Sequence, residues 1–190
     1  MRASYYHGDR TFRTGPATMP TPAAGDALLR VRRVGICGTD LHIYQGHLDH
    51  RVPKGGIIGH ETFAEVAEAP AASGFAAGDR VVVEPLWFCG ECRACRMGAP
   101  YICYRLKVLG VDVAGGMQDY WAVPTSRLIK VPDALNDDHA ALMEPLAIAT
   151  TSSALRSRPA TPSSCSGAVR SAASSRWSRG TAALASSCPR

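Results

Sequence analysis

The chain has 190 residues and a formal charge of +5, but the charge is unevenly spread: residues 151–190 hold six Arg and no acidic residue. Residues 1–150 therefore carry 15 basic against 16 acidic side chains, a net of −1, without the basic surface that nucleic-acid or membrane binding calls for. The length fits one domain of the usual size, roughly 100 to 150 residues, plus extra sequence.

No apolar core of a signal peptide follows Met1, and no run is long enough to span a bilayer. A cytoplasmic, reducing setting is the expectation, and clustered cysteines there bind metal more often than they form disulfides. Short apolar runs at residues 27–34, 56–58, 80–83 and 127–131, broken by Gly, Pro and Asp, predict a mainly β domain with short helices and irregular loops.

The first chemistry follows the run at 27–34. Gly35-Ile36-Cys37-Gly38-Thr39-Asp40-Leu41-His42 places a thiol, a hydroxyl and an imidazole close together, and Gly59-His60-Glu61 comes about two dozen residues later. A catalytic zinc takes about three protein ligands and keeps one position open. Cys37, His60 and an acidic residue make a suitable mixed set, although a lone Cys is commonly core filler and an isolated His-Glu pair is commonly surface.

Four of the seven cysteines then crowd into residues 89–103, as Cys89-Gly90-Glu91-Cys92-Arg93-Ala94-Cys95 and, after seven residues, Cys103. Four close thiolates suit a closed tetrahedral zinc site, with Gly90 and Gly98 relieving the turns and Arg93 and Arg96 offsetting negative charge. An iron-sulfur cluster is the other metal reading of the same residues. From residue 137 acidic residues open an Ala/Leu/Met-rich helix containing Glu144, which Pro145 should kink or restart.

Together these motifs resemble the zinc-containing medium-chain dehydrogenase/reductase family. The resemblance spans residues 1–150 and adds Gly78-Asp79-Arg80-Val81, Gly115-Gly116, Tyr120, Val123-Pro124 and Glu144-Pro145-Leu146. The last of these places the chain nearest the sorbitol, butanediol and threonine dehydrogenase branch. The resemblance implies a GroES-like β-barrel catalytic domain with two zinc ions. Cys37 and His60 would bind the catalytic zinc with Glu61 or Glu144, and Cys89, Cys92, Cys95 and Cys103 the structural zinc. It further implies that Thr39 passes the substrate proton inward and His42 relays it to solvent, while a small alcohol or polyol gives hydride to NAD or NADP. The intact family member would be a homo-oligomer.

The family's Rossmann turn, Gly-x-Gly-x-x-Gly after a buried strand, is not written in these 190 residues. Residues 151–190 read instead as a disordered tail, with Ser, Ala and Arg supplying 26 of 40 positions. If Ser is encoded UCN and Arg CGN, reading residues 162–166 one base out of phase forces four successive apolar residues. The pairs that follow permit Gly-x-Gly-Pro-Ile-Gly. A reading-frame shift near residues 151–158 is therefore expected. The rival reading is a stand-alone zinc module whose basic tail contacts nucleic acid or an acidic partner.

Overall fold

The computed structural model describes residues 1–156, so most of the tail expected to be disordered over residues 151–190, and the sequence beyond the frame shift expected near residues 151–158, lie outside the described residues. The chain opens with a hairpin of β1 (Arg2–Gly8) and β2 (Thr11–Pro16). Next come β3 (Asp26–Val34), α1 (Gly38–Tyr44), β4 (Gly56–Ile57), β5 (Thr62–Glu68) and β6 (Arg80–Val83). An excursion carries β7 (Leu86–Trp87), α2 (Arg93–Arg96) and β8 (Lys107–Val108). β9 (Tyr120–Pro124), β10 (Leu128–Lys130), α3 (Asp137–Ala141) and α4 (Met143–Arg156) follow.

All the strand pairings are antiparallel, and the main sheet runs β10-β6-β5-β3-β9 beside a smaller β2-β1-β4 sheet. Side-chain alternation explains how the main sheet is buried on both faces. In β6, Val81 and Val83 join Leu29, Ala64, Val66, Trp121 and Val123 on the inner face. Val82 points the other way and packs with Phe63 under Ala140 and Ala141 of α3. A third cluster, Tyr6, Ile43, Val52, Ile58 and Val111, seats α1 against the small sheet. Register shifts between Leu28/Leu29 and between Val31/Arg33 bend β3 as it leaves the core, as bulges do.

The helix expected from residue 137 is two helices, with the break at Leu142, the C-cap of α3. Pro145 is the third residue of α4, inside the first turn, where its missing N–H costs little. α4 runs to Arg156, the last described residue. Within α4 the Thr150 and Thr151 hydroxyls donate back to the Ala147 carbonyl at 2.9 and 2.8 Å. No helix among the described residues is long and apolar enough to cross a membrane.

Candidate metal centres

The antiparallel pairing of β3 with β5 brings Val34 opposite Thr62. One step further, the Gly35 N–H donates to the Glu61 carbonyl at 2.8 Å, so Cys37 and His60 must meet. Cys37 is the N-cap of α1: its Sγ accepts from the Thr39 N–H at 3.2 Å, and Asp40 returns a carboxylate oxygen to the Cys37 N–H at 2.9 Å. That reciprocal cap holds the thiol at the mouth of the helix. On the other side Gly59, at φ +103°, leaves no room for a side chain against Met117 and Val34, and it turns the chain so that His60 and Glu61 face Cys37.

The donor atoms of Cys37, His60 and Glu61 lie within 4.8 Å of one another, with Cys37 Sγ 3.1 Å from His60 Nε2. Behind the ring, Asp40 Oδ1 and His60 Nδ1 face each other across 3.8 Å, and both are buried without a hydrogen-bond partner. A zinc between Sγ and Nε2, with bonds of about 2.3 and 2.0 Å, would set them about 3.5 Å apart and fix the tautomer that gives Nδ1–H to Asp40. The residues present therefore fit the metal. Burial works against the charged His60 ring, but the Cys37 sulfur, Asp40 and Glu144 outweigh it and push its pKa up to about 9. Burial also disfavours the Cys37 thiolate, and the hydrogen bonds from His60 and Thr39 reverse this, holding the thiol below its ordinary value. Without metal the two groups favour each other's charged forms, imidazolium and thiolate, the charge pattern a divalent ion replaces.

Glu144 stands in the first turn of α4, where burial raises its pKa and its charge acts on both His60 and Glu61. It is not within the close set that Glu61 joins. Thr39 is half-buried beside the thiol, whereas His42 is exposed with its Nδ1 3.2 Å from that of His47. Two residues escaped sequence reasoning. Asp40 was legible only as part of a motif, and His47 only as one more exposed histidine.

The second centre is the excursion between β7 and β8, whose pairing (Leu86 with Val108, Trp87 with Lys107) closes its base. Sulfur separations are 3.9 Å (Cys89–Cys95), 3.5 Å (Cys92–Cys95), 3.9 Å (Cys92–Cys103) and 3.5 Å (Cys103–Cys89). They bracket the edge of about 3.8 Å expected for a tetrahedron with zinc-sulfur bonds of about 2.3 Å. Gly90 and Gly98 turn the loop at φ +75° and +77°. Backbone N–H groups of Glu91 and Cys92 hold Cys89 down to about 6, while burial and proton sharing with Cys92 and Cys103 push Cys95 up to about 12. Four sulfurs this close cannot all ionise without a cation among them. Among the described residues the arginine whose guanidinium bridges Cys89 and Glu91 is Arg105, not Arg93 or Arg96, and the Arg105 backbone N–H donates to Cys103 Sγ at 3.3 Å.

The curled antiparallel sheet, the four-sulfur excursion and the Cys-His-Glu set together define a zinc-type dehydrogenase catalytic domain. Residues 23–133 match the alcohol dehydrogenase GroES-like domain, and the chain belongs to that family. It is 42% identical over 150 residues to 2-dehydro-3-deoxy-L-galactonate 5-dehydrogenase of Pseudoalteromonas atlantica, a match covering 78% of this chain and 44% of that protein. It is 40% identical to L-threonine 3-dehydrogenase of Pyrococcus horikoshii, covering 67% of this chain and 38% of the relative. Among solved structures, the Escherichia coli CFT073 alcohol dehydrogenase rspB with NADH superposes at a TM-score of 0.71 with 36% identity, over 79% of this chain and 44% of that one. The cobalt- and zinc-bound alcohol dehydrogenase of Pyrobaculum aerophilum gives 0.66 and 30%, over 75% and 44%. The chain thus spans less than half the length of these relatives.

Proposed function

We propose that this chain is the zinc-holding catalytic half of a dehydrogenase that oxidises a secondary alcohol, polyol or amino alcohol with NAD or NADP. The observation that carries the reading is the convergence of Cys37, His60 and Glu61 on one point, with Asp40 aimed at the back of the His60 ring. When bound, zinc lowers the pKa of the substrate hydroxyl, and the nicotinamide coenzyme takes the hydride. Cys37 and His60 hold the metal, and Glu61, just before β5, or Glu144 from α4 supplies the acidic ligand. Thr39, beside the thiol, takes the hydroxyl proton, and His42 passes it outward. His47, within hydrogen-bond reach of His42, is the next acceptor at the surface. Cys89, Cys92, Cys95 and Cys103 hold a second zinc that shapes the excursion and touches no substrate.

Hydride transfer also needs an acceptor fixed against the carbinol carbon, and such positioning is worth roughly 7 to 11 kcal/mol of barrier. The Gly-x-Gly-x-x-Gly turn that supplies it is not written among the 190 residues, in line with a frame shift near residues 151–158. The test is to assay this chain beside a version with the frame restored after about residue 155. Sorbitol, 2,3-butanediol and threonine are the substrates, each with NAD and NADP. Turnover by the restored protein alone is expected; comparable turnover by both would overturn the reading.

A further inference from the structure

Gly35 stands between β3 and α1, and its backbone bond to Glu61 presses the two segments together. A β-carbon built on Gly35 would overlap Glu61 Oε2 and stand 3.0 Å from the Glu61 Cβ and 3.3 Å from its Cδ. Gly35 does not occupy the left-handed region, so space and not backbone conformation is what calls for glycine here. The most crowded atom is the free end of a side chain, which yields by rotating, while the Glu61 Cβ gives by a few tenths of an ångström.

We infer that Gly35 is a positioning residue: its bare α-carbon is the seat in which the Glu61 carboxylate rests, and a larger residue there drives that carboxylate onto the metal. Glu61 is buried, so a displaced carboxylate has few directions open to it. Glu144 acts on it with like charge, while the Cys37 and His60 donor atoms lie within 4.8 Å of its own. A cation held by Cys37 and His60 is the favourable destination, and arrival there fills the position that substrate needs. Gly35 thereby sets how far Glu61 withdraws, and so how open the metal stays.

The inference rests on Cys37 and His60 being metal ligands, and the experiment separates the two claims. The full chain is prepared with zinc in the cysteine excursion and cobalt(II) in the exchangeable site, as native protein, Gly35→Ala, Glu61→Ala and the double variant. Gly35→Ala is expected to change the cobalt d–d spectrum and to slow cobalt release to a chelator about 10-fold, on the scale of changes around a metal's ligands. In the Glu61→Ala background the same substitution should leave both within about 2-fold. Equal effects in both backgrounds, or unchanged or faster release with Glu61 present, would overturn the inference. Should Gly35→Ala fail to fold, folding of the double variant supports it and failure of both overturns it. A sulfur-to-cobalt band that survives Cys37→Ser shows instead that the ligand assignment is wrong.

Discussion

Asp40 holds its neighbours with two oxygens that do different work: one caps Cys37, and the other faces the His60 ring. Asp40→Asn keeps the cap acceptor but removes the charge behind the imidazole. Zinc affinity at Cys37 and His60 is then expected to fall about 10-fold with the cysteine excursion still loaded, measured by metal analysis after graded chelator treatment. The His60 pKa adds a pH prediction. Below about 9 the metal must displace a proton from His60, so affinity should rise with pH and level off near 9, as chelator competition would read. For the metal-free fold the sign runs the other way. The raised pKa means that the His60 contribution is complete below its unfolded value, about 6.5, and fades as pH climbs through about 9.

At the scale of elements, the excursion between β7 and β8 has little apolar core of its own, with Met97, Tyr101, Ile102 and Tyr104 all exposed. If its order comes from the proposed zinc, Cys92→Ser should cost one zinc per chain and make residues 88–106 the first site of proteolysis. Equal zinc content before and after the substitution would refute this. The loop after β8 is tied down differently. Arg51 donates to both Asp112 oxygens at 2.9 and 2.7 Å, while Asp112 Oδ2 also accepts from the Val108 N–H at 2.7 Å. Arg51 holds the Asp112 carboxyl below the ordinary range, so its contribution is present above the unfolded value, about 3.9, and is lost as pH falls through the folded one. Asp112→Asn should cost about 1 to 2 kcal/mol at pH 7, and the difference should shrink in acid, as urea unfolding at several pH values would show.

At the scale of the whole molecule, apolar side chains beside the site residues are exposed: Ile36 next to Cys37, Leu41 next to Asp40, and Leu146 and Ile148 just after Glu144. Exposed apolar groups of this kind mark contact surfaces. The purified 190-residue chain is expected to self-associate, with a sedimentation profile that shifts with concentration, and the frame-restored version to do so less. Identical profiles for the two would count against the reading of residues 151–190.

Some of this architecture was open to inspection along the chain. The four-thiol excursion is legible because its ligands lie within 15 residues, so local turns alone bring them together. The helical start after residue 136 is legible in the same way from its acidic residues, whereas the break at Leu142 ahead of Pro145 was not. β5 and β9 were harder to see: alternation splits their apolar residues between two faces, as Phe63 and Ala64 show by packing into different clusters. The meeting of Cys37 with His60, the choice of Glu61 over Glu144 for the close set, the aim of Asp40 at the imidazole and the reach of Arg105 to the sulfurs were decided only by tertiary structure. Spacing along a chain specifies how near residues are within a turn. Contact between segments some two dozen residues apart is set by strand register, and it is the pairing of Val34 with Thr62 that turns separate motifs into one site.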